Sequence, residues 1–548
     1  MSLPSIPYAL RSTIAPAAVQ AVTVLLCFAA GLGLDHLEQL GPTIVILTVV
    51  LGMSLARTQR YGGIGHRLFS LAALPVVSVA CNEVGRLFVQ HPDPADVLFT
   101  AAIGLSIWMR RLGPWGTRLG TLIALPFIAL LITPVPAVAG LLPSTGRSML
   151  WSAVAAVVAY CLGWIARAAA EHLKLVEPLP RHPAPRTPAA AAARAEPRTG
   201  LTRIPASSRM ALQMTLSLAL AFAIGRGVFG THWAWIVLTA FIVNSGNRGR
   251  GDVVHKSLLR VLGAGVGTVV ATVLAGALPP RDAAAIVIIL IVLVIGLWLR
   301  TISYVYWAGC VTSVLSLLQG YFGEGHVGLI GERLLQIVLG GALAVVIAWL
   351  VLPVRTDGVV RRRLADCLAP MTEVLLACLR DPASAAEHAG RFAEQAVLLE
   401  QVMPSIKAHR RLHRLRGRGH RHPADAMDAV AGCGSALAAL AGTASQNPET
   451  LRAPGIPALL KGVTANVTGA RRALGRRPEA NYRELSAAPA TASDAPSAAP
   501  SAAPGIAEAL LCIDAAARTV YEVYHRVDAP GTVPGLPTAK ATAPPLKA

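Results

Sequence analysis

The sequence predicts an all-α integral membrane protein of about twelve transmembrane helices in two parallel six-helix repeats, with a cytoplasmic helical tail. Three observations predict it. First, of 548 residues 54% are hydrophobic and only 14% are charged, with a mean hydropathy of +0.55; a soluble domain carries about 25% charged residues. Second, apolar runs long enough to cross about 30 Å of hydrocarbon as helices recur through the first two thirds of the chain. Third, segments early in the chain are echoed later at a nearly constant offset.

The runs lie near 15–34, 40–56, 66–90, 95–110, 117–135 and 148–168, and again near 208–229, 232–245, 256–278, 283–300, 303–320 and 331–353. The run at 232–245 is short enough to be a tilted or broken helix. Only Arg11 precedes the first run and another span follows at once, so no cleavable signal peptide is expected. Basic residues gather in alternate loops: Arg57, Arg60 and Arg67; Arg110, Arg111 and Arg118; a series of eight between 167 and 209; Arg248, Arg250, Lys256 and Arg260; and Arg300. The other loops carry only Arg86, Arg147, Arg226, Arg281 and Arg333. This bias places the basic loops and both termini in the cytoplasm.

The echoes are "HRLFSLAALPVVSV" from His66 with "HKSLLRVLGAGVGT" from His255, "WMRRLGPW" from Trp108 with "WLRTISYVYW" from Trp298, and "GRSMLWSAVAAVVAYCLGW" from Gly146 with "ERLLQIVLGGALAVVIAW" from Glu332. Gln20 is echoed by Gln213. A repeat of six helices, an even number, re-enters the membrane from the same side, so the two copies are parallel. The organisation expected is a first membrane half at 1–177, a Pro/Ala/Arg-rich cytoplasmic linker at 178–206, a second membrane half at 207–354, and a basic, partly disordered helical region at 355–548. Within that tail, amphipathic segments fall near 358–380, 386–415, 424–444, 455–475 and 505–527, interrupted by an Ala/Pro/Ser stretch at 486–504. We expect a loose helical domain.

The net charge of +20 comes from 49 Lys and Arg against 29 Asp and Glu. In a membrane chain this reports topology and anionic lipid rather than nucleic acid. The eight cysteines are scattered without a CxxC, which argues against a zinc site or a disulfide framework. The tail stretch "KAHRRLHRLRGRGHRH" at 407–422 holds four histidines but no accompanying cysteine or carboxylate set, so attraction to an anionic leaflet is its simpler reading. No metal or other cofactor is expected.

"NSGNRGRGDVVHKSLLR" at 244–260 contains a G-x4-G, Gly246 to Gly251, and so resembles a phosphate-binding loop. That loop needs Lys and Ser/Thr directly after the second glycine. Here Asp252 and Val253 follow, and an aspartate repels phosphate. A Gly-rich turn between two membrane helices, anchored on the cytoplasmic side by Arg248, Arg250 and Lys256, accounts for the residues better. Gly263, Gly265 and Gly267 then supply small residues for close helix packing.

The stretch "HWAWIVLTAFIVNSGNRGRGDVVHKSLLRVLGAGVGT", with the later "ERLLQIVLGGALAVVIAW", resembles fusaric-acid-resistance-type aromatic acid exporters over roughly 230–353. The first half lacks the glycine run. The resemblance implies proton-linked efflux of aromatic or other small organic acids across a bacterial inner membrane, with the organic anion, protons and membrane lipid as partners. A periplasmic adaptor or a homo-oligomer stays open. A passive organic-anion channel and a membrane scaffold with a lipid-binding tail are the alternatives. An enzyme is not expected, because no nucleophile–base pair, HExxH or paired carboxylates stand at a suitable spacing.

Charged groups inside hydrocarbon mark pathways by default. Glu83 and Arg86 lie three apart in the third span, either as an ion pair or in a proton or substrate role. Glu332, Arg333 and Gln336 open the last span, where helix-dipole stabilisation suffices for Glu332 and Arg333 offers a carboxylate a permanent cation. Gln20 and Gln213 line a central cavity or bond between helices. Arg248, Arg250, Lys256, Arg260 and Arg300 make a cationic cytoplasmic vestibule, with Trp298 beside Arg300. Trp233, Trp235, Trp298, Tyr304, Tyr306 and Trp307 read mainly as interfacial belts.

Overall fold

The computed structural model describes residues 8–58, 63–132, 145–176, 204–246, 249–275, 279, 281–322, 329–354, 356–415, 421–477, 480–485 and 503–525. The expected linker at 178–206 and the Ala/Pro/Ser stretch at 486–504 fall outside them, apart from their last residues. The chain divides into two compact units, Met1–Arg355 and Thr356–Ala548. Among the described residues there is helix and no strand.

The first unit runs through α1 (Tyr8–Glu38), α2 (Pro42–Thr58), α3 (Ile64–Gln90), α4 (Pro92–Trp108), α5 (Pro114–Ile132), α6 (Thr145–His172), α7 (Ala206–Phe229), α8 (Ala234–Asn244), α9 (Arg250–Ala275), α10 (Ala283–Leu299), α11 (Tyr304–Tyr321) and α12 (Leu329–Leu350). Among the described residues, eight helical stretches are long and apolar enough to cross a membrane, seven of them in this unit and the eighth at Pro423–Gln446. The protein is a multi-pass, all-α membrane protein.

Helix α9 shows why lipid is the right solvent for this unit. Leu258, Leu262, Val266, Val269 and Val273 form an exposed apolar stripe at helical spacing, whereas Arg260, Ala264, Thr268 and Ala271 on the other face are buried. Water would penalise that stripe, and hydrocarbon does not. The buried face meets α11 without side chains between: a Cβ on Gly263 would stand 2.4 Å from the Val305 carbonyl oxygen, and one on Gly267 would stand 2.2 Å from that of Gly309. Ser313 of α11 donates to the Gly267 carbonyl at 2.8 Å. Gly265 has nothing within 4 Å of its would-be Cβ.

Helix α8 is the exception in length. Its 11 residues rise only about 16 Å. Nine of them are buried, so protein rather than lipid surrounds it, and its length need not match the bilayer.

Neighbours recur in the same order through α1–α6 and α7–α12: first on second, second and third on sixth, third on fifth, fourth on fifth. Between these sets α4 packs on α7 and α1 on α10, while α5 meets α8. Val49 and Met53 of α2 share an apolar cluster with Trp307 and Val314 of α11. One difference is in proline. Pro16, Pro75 and Pro126 lie inside α1, α3 and α5, and each removes a backbone hydrogen bond.

The second unit contains α13 (Thr356–Arg380), α14 (Ala385–Glu400), α15 (Met403–Leu415), α16 (Pro423–Gly432), α17 (Gly434–Gln446), α18 (Ile456–Leu474) and α19 (Ala503–His525). Two expected segments are each two helices. The run at 386–415 breaks at Gln401–Val402, because Pro404 cannot bond back to Glu400. That at 424–444 breaks at Cys433, between Gly432 and Gly434, which are weak helix formers. The unit is also not loose: one hydrophobic cluster runs from Val360 to Tyr524 through all seven helices. Residues 423–446 are apolar enough to resemble a span, yet Met427, Val430, Leu437 and Leu440 are spent on this core. Asn466 and Tyr482 both donate to the Asp514 carboxylate, at 2.8 and 2.7 Å, and staple the segment at 480–485 to α18 and α19.

Candidate functional site

The turn at 244–251 is built by glycine at two places. Gly246 and Gly249 have φ of 61° and 147°, values an L side chain resists. Gly251 is already inside α9. Lys256 closes the turn: its Nζ donates to the carbonyls of Ser245 and Gly246 at 3.3 Å and pairs with Asp252 at 3.1 Å. This lysine is committed to backbone and carboxylate, as a phosphate-binding lysine is not.

The expected cytoplasmic vestibule is largely used up by local packing. Arg250 lies over the Trp349 ring at 4.7 Å. Arg300 lies over Trp307 at 4.8 Å, and Trp298 is 46% exposed. Arg260 is buried, at 1% exposure, because it falls on the α11-facing side of α9 and not on the loop. Arg248 lies outside the described residues.

The glutamines bond between helices. Gln20 donates to the Met53 carbonyl at 2.7 Å. Gln213 donates to those of Val351 and Leu352, at 2.7 and 3.3 Å, where α12 leaves carbonyls unpaired. Near the end of α3, Asn82 and Arg86 both donate to the Ser148 hydroxyl of α6, at 3.1 and 3.4 Å, and Asn82 donates to Glu83 at 3.3 Å.

The start of α12 gathers more chemistry. Arg333 is buried and stands over Trp235 of α8 at 5.8 Å. Gln336, fully buried, donates to Glu332 at 3.1 Å, and its own Oε1 has no partner among the described residues. Glu332 also faces His232, just ahead of α8, at 3.9 Å. The cluster is graded. His232 and Glu332 side chains are 45% and 33% exposed, while Arg333 and Gln336 lie beneath them. The arrangement can offer a buried cation to an anion and a titratable pair to a proton.

Two features were not legible in the sequence. His232 carried no signal of its own, and Trp233 and Trp235, expected in an interfacial belt, are buried beside it rather than facing lipid. Arg226 of α7 pairs with Asp96 of α4 through both Nε and Nη2, at 2.5 and 2.7 Å, and stacks on Trp233 at 4.7 Å. The two lie 130 residues apart, and their proximity to span ends was the only signal.

Among known families, a model described as fusaric acid resistance protein-like matches residues 215–347. The match reaches from α7 into α12, and takes in the Arg333 cluster and the Gly-rich turn. Neither a curated protein nor a solved structure matches the chain.

Proposed function

We propose that this chain, which carries a fusaric acid resistance protein-like domain at residues 215–347, is a proton-linked exporter of small organic acids, aromatic ones foremost, in a bacterial inner membrane. The observation that carries the reading is the buried Arg333 over Trp235, with Glu332 and His232 at a more exposed edge. Arginine stays charged wherever it is buried, so it attracts a carboxylate in a low-dielectric site more strongly than in water. Glu332 and His232 are groups able to load and release a proton there.

The twelve helices of the first unit act as twelve spans in two parallel halves. The recurring packing order supports this, as does the pairing of α4·α7 with α1·α10 and of α5·α8 with the α2 and α11 cluster, which is what a two-fold axis along the membrane normal produces. Both termini and the second unit are cytoplasmic, following the basic loops. A basic tail helix such as Met403–Leu415 attracts anionic lipid there.

Flux decides the matter. Full-length protein in vesicles under an imposed pH gradient should move benzoate or another small carboxylate, and Arg333→Ala should slow it by at least about tenfold, the loss of one charge-assisted contact. Flux that follows the anion gradient regardless of pH makes the protein a channel. No flux across a panel of organic acids ends the transport reading.

A further inference from the structure

Arg260 is a fully buried arginine in a membrane helix, 1% exposed and ten residues along α9. Its Nε and Nη2 atoms have no hydrogen-bond partner among the described residues, and neither has the shielded hydroxyl of Tyr304 at the start of α11. The two side chains are electrostatic neighbours. A buried charge without a counter-charge is strongly unfavourable, and a fold does not keep one for stability.

The two unpartnered atoms are the chemically telling pair. Nε–H and Nη2–H lie on one edge of the guanidinium and match the two oxygens of a single carboxylate. The same protein shows that edge in use: Arg226 holds Asp96 through the same two atoms. At Arg260 no carboxylate of the chain serves that edge among the described residues. The nearest acid along α9, Asp252, is paired with Lys256.

We propose that the Arg260 Nε/Nη2 edge and the Tyr304 hydroxyl form an occluded binding site for one carboxylate group of the transported acid, a site distinct from the Arg333 cluster. This rests on the transport reading above and gives that pathway a second, deeper station. The acid arrives ionised, takes two hydrogen bonds from arginine and one from tyrosine, and neutralises the buried cation. Burial of the site means that the helices must part for the ligand to enter, as an alternating transporter requires.

The test measures benzoate in two ways on the full-length protein: the shift it causes in unfolding temperature in detergent, and its KM for flux in vesicles. Wild type should be stabilised by benzoate and not by benzyl alcohol. Arg260→Gln should raise the KM at least tenfold and shrink the shift to what the intact Arg333 cluster supports. Arg260→Lys, which keeps the charge but loses the planar edge, should recover only part. Tyr304→Phe should raise the KM several-fold with an unaltered ligand-free unfolding temperature, and it decides the matter if the arginine variants do not fold. Arg260→Met should unfold no earlier than wild type without ligand, since it removes an uncompensated charge.

Benzoate flux with wild-type KM in both Arg260→Gln and Tyr304→Phe overturns this site and leaves the transport reading standing. No carboxylate binding or flux in wild type overturns both. Stabilisation of wild type by inorganic phosphate but not by benzoate overturns the carboxylate assignment and points to a phosphate group, free or on a lipid.

Discussion

His422 shows how a single side chain outside the membrane unit ties structure to pH. Its Nδ1 accepts the Ala424 amide at 3.1 Å, capping α16, while Asp425 accepts the His422 amide at 2.9 Å. With Nδ1 an acceptor, the ring proton sits on Nε2, which faces His409 Nδ1 at 2.9 Å. Burial, then the charges of His409, His413 and Arg410, push its pKa from 6.5 down to about 4, against the pull of Asp425. A folded pKa below the unfolded one means that the unfolded chain takes the proton first. The stability from the neutral ring is therefore complete above pH 6.5 and is lost as pH falls from 6.5 towards 4. Hydrogen exchange at α16 amides in the intact protein, corrected for intrinsic rate, should show protection falling across that window. His422→Asn keeps a cap acceptor and should flatten the profile; an unchanged profile in that variant would assign the pH dependence elsewhere.

At the scale of the element, α9 against α11 makes a paired prediction. Gly267→Ala places a methyl 2.2 Å from the Gly309 carbonyl oxygen, a backbone atom that cannot swing aside. Overpacking of this kind costs about 1–3 kcal/mol, so the unfolding temperature in detergent should drop by several degrees. Gly265→Ala meets nothing within 4 Å and gains helix propensity of up to about 1 kcal/mol, so it should be neutral or stabilising. Equal effects at the two positions would mean that the close approach is not what these glycines serve. The sequence displayed the glycine run but not this difference, because which face of α9 meets α11 is set by a helix some forty residues later in the chain. The tail shows the reverse failure. Residues 423–446 have a span's composition, and only their placement inside a core of seven helices shows that their apolar side chains are used against protein.

At the scale of the whole molecule, the Arg226–Asp96 pair joins α7 to α4 across the two halves of the membrane unit. Both side chains are mostly buried, at 24% and 15% exposure. Asp96→Asn leaves the guanidinium without its counter-charge and should cost about 2 kcal/mol, read as an earlier unfolding of full-length protein. A loss confined to first-half helices in hydrogen exchange would argue against a joint between halves. The same pair belongs to the packing of the first half on the segment that the family match covers from residue 215: α7 packs on α4, and Phe88 of α3 and Phe99 of α4 close on Phe222 and Trp233.

By itself the sequence determined the solvent and the secondary structure. Apolar composition and run length are local quantities, so the all-α membrane class and the approximate order of helices follow from them, as does the turn at Gly246, whose left-handed backbone favours glycine. It also carried the family resemblance that residues 215–347 bear out. The tertiary structure decided which polar groups are paid off by neighbours. Lys256, Gln20 and Gln213 are absorbed by backbone carbonyls, Arg226 finds Asp96, and Arg260 is carried inward with its Nε–Nη2 edge unmatched among the described residues. The physical reason is that a charge's role in a low-dielectric interior depends on what lies within a few ångströms, and those neighbours come from helices far apart in the chain.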